Sequence, residues 1–249
     1  MEPNKVLSKN NAPYKPTDLG RLFWLAAKKA SLLIIFCHLY PSISYSEELI
    51  RRQEGDFLNQ TAFVVEPLGL QMVKVYDGFY LGRYEVTQKQ WLGIMGDNPS
   101  MFNGCDYCPV EQVSLDDVEQ FIKKLNRMTD MSFRLPTKDE WLFARGPVPD
   151  NLDAVSWHTG NANNMTHQVG TKSPNGLGLY DMFGNVHEWT GSCGYESSLN
   201  PEECSKNVFI GGSFFDPVEH VSLSDNLPGI DSWGRGDNLG FRLLLQTKP

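Results

Sequence analysis

From Gly146 to the C-terminus the sequence is mostly turns of Gly, Asn, Ser and Pro separated by short apolar pieces. This stretch limits the fold more than any other feature. Long helices and sustained strand ladders cannot carry it, so loops must be packed and their buried amides must find partners. The anchors for such loops are present, with 6 Trp, 9 Tyr and 14 Phe in 249 residues, and 41% of the chain is apolar. A loop-rich α+β domain with aromatic anchors follows. The formal charge of −8 and the lack of a long basic run beyond the N-terminal region argue against nucleic acid as a partner.

The first half is more regular. FVVEPLGLQMVKV and GFYLGRYEVT read as strands, the first broken at PLG. Thr87 caps a short helix, QKQWLGIMG, that ends at Gly96. Residues 97–112 form a loop. Ser114 caps a second helix, LDDVEQFIKKLNRMT, whose Val118, Phe121, Ile122 and Leu125 share one face. Asp116 and Asp117 in its first turn and Lys123, Lys124 and Arg127 further along suit the helix dipole. Pro136 ends a short strand, and Thr137 caps a third helix. Glu140, three residues on, completes a capping box, which gives it a structural role. No repeat and no linker interrupt 63–246.

The N-terminal segment has another character. Lys5, Lys9, Lys15, Arg21, Lys28 and Lys29 precede an apolar run over 30–40 and then the small residues of PSISYS. Basic, apolar, small is the order of a signal peptide, with cleavage after Ser46; an uncleaved anchor is the other reading. The run is short for a bilayer span. This divides the chain into 1–46 with the signal peptide, a polar lead-in over 47–62 and a domain over 63–249, periplasmic or secreted, with no transmembrane segment in the mature part. Phe36 is too bulky for the residue before a lipidated cysteine, which speaks against lipidation of Cys37. The remaining cysteines, Cys105, Cys108, Cys193 and Cys204, are even in number, as two disulfides require. Three connectivities are open. Cys105–Cys108 with Cys193–Cys204 closes the shortest loops. The spacing of the second pair argues against zinc.

YEVTQKQW, PVEQVSLDDVEQF, RLPTKDEWLFARG, PNGLGLYDMFGNVHEWTG, IGGSF and GFRL follow one another over 63–246. In this order and spacing they resemble the successive signatures of the formylglycine-generating-enzyme, or sulfatase-modifying factor, family. The resemblance implies a single compact α+β domain related to C-type lectins. In it Trp91, Trp141, Tyr180 and Trp189 would anchor loops, and Asp181, Asn185 and Glu188 could serve loop amides. It also implies a calcium site at Asn185, the Val186 carbonyl and Glu188, whose hard oxygens suit that ion; bracing of the loop is the competing role. A second calcium site of the family, after Ala162–Asn163, lacks its acidic stretch.

The family oxidises a substrate cysteine to formylglycine at two cysteines that bind copper(I). Here the matching positions, after the Ser213 of the GGS motif, hold Asp216 and Val221. Copper is therefore not expected, nor is the oxidase reaction. Asp216, Glu219 and His220 cluster in sequence, while His158, His167 and His187 are scattered. Ser213, Asp216, Glu219, His220, Asp225, Trp233 and Arg235 form the candidate pocket. The loops over 214–238, which also hold Asn226, Asp231 and Ser232, suit a polar or carbohydrate-like ligand or an envelope protein. The resemblance allows a second function, a periplasmic enzyme of altered oxidative chemistry such as siderophore maturation.

Overall fold

The computed structural model of the chain describes residues 61–76, 78–196, 204–222 and 229–247. The segment read as a signal peptide, most of the lead-in and Asp225 with Asn226 lie outside the described residues.

Strands β1 (Ala62–Val65), β2 (Leu70–Tyr76) and β3 (Phe79–Gly82) form an antiparallel meander. The break expected at PLG is the turn between β1 and β2, with Gly69 at φ 65°. β3 continues into α1 (Gln88–Met95) and α2 (Leu115–Thr129), then β4 (Phe133–Arg134) and α3 (Lys138–Arg145). The later chain holds β5 (His187–Glu196), β6 (Cys204–Ile210), a one-turn helix α4 (Val218–Val221), β7 (Leu239–Phe241) and β8 (Leu244–Gln246). One sheet runs β1-β2-β3-β8-β4; a smaller one runs β6-β5-β7, with β5 and β7 parallel. The β5–β6 hairpin departs from the expectation of turns alone after Gly146. Its register shifts three times, between Trp189 and Glu196, so no clean alternation marks it in the sequence.

All three long helices begin as their caps predict, and each start is a full capping box. Thr87, Ser114 and Thr137 accept from the backbone of Gln90, Asp117 and Glu140, whose side chains reach back to the cap amides. α1 stops at Gly96 in the left-handed region, and α2 at Asp130 with φ 54°. α2 buries Val118, Phe121 and Leu125 completely, whereas Ile122 is half-buried at the edge of the core.

Glu140 has a further partner in Arg134, at 2.6 Å. The Arg134 hydrogen bond, aided by the Thr137 amide and hydroxyl, outweighs burial and holds the Glu140 carboxyl at about 2 instead of 4.5. A depressed folded value contributes stability that is full above the unfolded value near 4.5 and lost as pH falls through 2. Glu140→Gln is expected to cost about 1–2 kcal/mol at neutral pH. Urea titrations of both proteins should show that difference closing as the pH approaches 2.

The core has two parts. In one, Trp91 stacks on Phe121 with centroids 5.3 Å apart, and Phe241 stands edge-on to both. The Trp189 indole in the same cluster donates to the Val113 carbonyl at 2.9 Å, tying the smaller sheet to the start of α2. The second cluster gathers Phe79, Leu81, Trp141, Phe183 and Leu244 under α3. Cys105 and Cys108 form a disulfide in the loop before α2. Glu111, fully buried, braces that loop by accepting from the Met101 and Phe102 amides at 2.9 Å. Burial, partly offset by these two bonds, raises the Glu111 carboxyl above its ordinary value. Among the described residues no helix is long and apolar enough to cross a membrane.

Candidate functional site

The recurrent motifs meet in the interior, at a charge cluster. Arg242, wholly buried, donates through Nε and Nη2 to both oxygens of the equally buried Glu188 at 2.6–2.9 Å. Its remaining N–H groups reach the carbonyls of Gly82 and Tyr180 at 3.1 and 2.9 Å. Glu188 also accepts from the Trp141 indole at 2.6 Å. Glu85 accepts from the Asn185 side chain at 2.6 Å and the Val186 amide at 3.1 Å. Asp181 accepts from the Gly170 amide at 2.7 Å. Asp181 and Asn185 adopt left-handed φ of 57° and 61°, which Asp and Asn tolerate better than most residues.

Three carboxylates thus face one guanidinium. Burial, with repulsion from Asp181 and Glu188, pushes Glu85 well above its ordinary value. Burial raises Asp181 to about 6. Burial disfavours the Arg242 charge, but Glu188 outweighs it and keeps the guanidinium charged. In this geometry the residues expected at calcium are engaged within the chain. The Glu188 carboxylate is occupied by a permanent cation of the chain itself. Asn185 spends its side chain on Glu85 and on the His167 amide (2.9 Å), and its carbonyl on the Phe214 amide (2.8 Å). Asn185 and the Val186 amide are thus tied to Glu85, and Glu188 to Arg242 and Trp141. Among the described residues no group of three His, Cys, Asp or Glu is placed to hold a metal ion.

The candidate pocket lies where this core meets the loop after β6. Gly211 and Gly212 end β6, and Ser213 is buried with its hydroxyl 2.8 Å from the Asp216 carboxylate. Asp216 also pairs with His187 Nε2 at 3.0 Å. Burial would raise the Asp216 carboxyl, but the His187 and Ser213 bonds prevail and hold it below its ordinary value. His187 is the residue that sequence spacing missed: it opens β5, and the β5–β6 pairing, with Glu188 opposite Ile210, sets it beside the loop that carries Asp216. Its other ring nitrogen, Nδ1, makes no hydrogen bond.

The rest of the pocket set disperses. Val221 is fully buried and packs on Gly212, where a Cβ would lie 2.7 Å from the Val221 Cα. Glu219 and His220 are exposed on α4, away from the Ser213–Asp216–His187 contacts. Arg235 pins its loop to the start of α2, pairing with Asp117 at 2.5 Å and with the Gln112 carbonyl at 2.9 Å. Trp233 projects, 71% exposed, as does Phe215 at 65%. The donor set does not fit copper(I): an oxygen and an isopropyl group stand at the two positions, and Cys105, Cys108 and Cys193 are all disulfide-bonded. The side chain of Cys204 lies outside the described residues.

Residues 43–247 match the family of sulfatase-modifying factor enzyme 1-like domains. The chain belongs to that family. Among its relatives, the chaperone protein LppX of Paenibacillus barcinonensis is 29% identical over 90% of this chain and 97% of its own length. The inactive C-alpha-formylglycine-generating enzyme 2 of Mus musculus is also 29% identical, over 54% of this chain but only 48% of its own length. The solved structure of variable protein 1 of Treponema denticola superposes with a TM-score of 0.65 at 23% identity, over 74% of this chain and 98% of that one. That likeness shows a shared fold.

Proposed function

We propose that this member of the family is an exported partner-binding module of the cell envelope and not a formylglycine-generating oxidase. One observation carries the reading: where the oxidase needs two sulfurs, Asp216 is locked to His187 and Ser213, and Val221 is a buried plug. Soft thiolates are what copper(I) selects, and a carboxylate and an alkyl group cannot replace them. The contact surface is the loop region carrying Phe215 and Trp233, large apolar side chains left in solvent and flanked by polar residues. The occupant we favour is an apolar segment of an envelope protein, in keeping with the relative that bears a chaperone's name. Export rests on the basic, apolar, small order of 1–46, and the Cys105–Cys108 disulfide suits an oxidising compartment.

The purified chain with copper(I) and oxygen should leave a Cys-x-Pro-x-Arg peptide unoxidised by mass spectrometry. In light scattering it should delay aggregation of a heat-unfolded reporter protein at about equimolar ratio. Phe215→Ser with Trp233→Ser should remove most of that delay, since exposed aromatic anchors dominate such contacts. Copper-dependent aldehyde formation, or a delay indifferent to the two substitutions, would refute the reading.

A further inference from the structure

The Cys105–Cys108 disulfide joins residues that the fold already holds in place. The two cysteines are 3 positions apart, and a bond that closes so short a loop restricts the unfolded chain little. The turn inside the ring is pinned by the backbone. The Cys105 carbonyl accepts from the Cys108 amide at 3.1 Å. The carbonyls of Asp106, Tyr107 and Cys108 accept from the amides of Lys89, Val169 and Gln88 at 3.0, 3.0 and 2.9 Å. On either side of the ring the Gln88 side chain donates to the carbonyls of Phe102 and Pro109, at 3.0 and 3.3 Å. Every carbonyl from Cys105 to Cys108 therefore has a donor that does not depend on the sulfur–sulfur bond. The bond can open while the loop keeps its shape.

The two sulfurs also differ in access. Cys108 is buried, 5% exposed. Cys105 is half-buried, and Asn103, Gly104, Asp106 and Tyr107 around it are all exposed. A Cβ placed on Gly104 would meet no atom within 4 Å, so the space beside Cys105 is open. Partly exposed cysteines react, whereas buried ones are inert to outside reagents. An incoming thiolate thus finds one sulfur to attack and one to displace, and access to the attacked sulfur is among the factors that set the rate of exchange.

We propose that Cys105 and Cys108 are a redox-active pair that exchanges with the thiols of cysteine-bearing polypeptides. A thiolate of the polypeptide attacks Cys105 Sγ. The bond to Cys108 breaks, and Cys108 leaves as a thiolate that takes up a proton. A second thiolate of the polypeptide then attacks the polypeptide sulfur of the mixed disulfide and releases Cys105, which is protonated in turn. The polypeptide loses two electrons and two protons and gains a disulfide; the pair gains both and becomes two thiols. This chemistry needs no contact at Phe215 or Trp233, so it stands or falls apart from the binding surface proposed above.

Incubating the full chain in graded mixtures of reduced and oxidised glutathione, quenching with acid and mapping the peptides by mass tests this. The pair should open and close reversibly, whereas purely structural disulfides resist the glutathione pool. The open and closed forms should melt within about 3 °C of each other, because the carbonyls keep their donors. With oxidised glutathione, Cys108→Ser should form a mixed disulfide at Cys105 at least about tenfold faster than Cys105→Ser forms one at Cys108. Reduced, unfolded ribonuclease A mixed with the closed chain should gain about one disulfide for each pair that opens. A pair that stays closed at every glutathione ratio, an open form that melts far lower, equal rates in the two variants, or ribonuclease thiols left unchanged would each overturn the proposal. Should either variant fail to fold, the glutathione titration and the ribonuclease assay of the parent chain decide.

Discussion

Arg242→Met is expected to destabilise the protein by about 3–5 kcal/mol, because it removes the one cation from a buried group of carboxylates. Glu188 would keep only the Trp141 indole, and Glu85 and Asp181 would lose the charge that offsets their repulsion. The loss should depend on pH. Raised carboxylate values mean stability that is present at low pH and lost as the groups ionise, and removing the guanidinium raises them further. The deficit should therefore be larger near pH 8 than near pH 5, on the two sides of the Asp181 value of about 6. Adding Glu188→Gln should recover part of it, since two neutral partners cost less than one orphaned charge. Urea unfolding followed by tryptophan fluorescence measures all of this; a deficit under about 1 kcal/mol would show that the cluster is not what holds the motifs together.

Gly184→Ala should cost a similar amount, about 3 kcal/mol or more, through backbone contact and not charge. Gly184 sits at φ 88°, and a Cβ there would lie 2.1 Å from the Trp157 carbonyl oxygen. That oxygen is already bonded to the Asn185 amide, and the Gly184 amide donates to Gly211 at 2.8 Å, so neither side can give way without breaking a bond. The Gly211 link makes the effect local as well as global. It positions the turn that carries Ser213, and circular dichroism melts should show the lower midpoint while binding through the Phe215 loop weakens in parallel. A melting temperature within about 2 °C of the parent would refute this account.

What could be read in the sequence was what is local. Thr87, Ser114 and Thr137 announce their helices because capping is settled within four residues, and the amphipathic face of α2 shows itself at helical spacing. The β5–β6 hairpin was hidden because HEWTGSCGYE holds two glycines and, with its register shifts, no alternation. His187 could not be linked to Asp216 by spacing, since the link runs through the irregular β5–β6 pairing, while Asn238, just before β7, meets both the His187 backbone amide (2.8 Å) and the Ser213 hydroxyl (3.3 Å). Glu188 reads in the sequence as a hard oxygen donor, and in the structure it faces the Arg242 side chain of GFRL. A signal existed: Arg242 between Phe241 and Leu243 is a charge in an apolar run, and such a charge requires a buried counterpart.

β8 lies between β3 and β4, and the residue that neutralises the interior precedes it by two positions. A chain emerging from its N-terminal end therefore carries an unclosed sheet and uncompensated carboxylates until Arg242 and β8 have appeared. Native packing of this domain waits on residues 242–246, and a chain cut before Arg242 should fail to reach it.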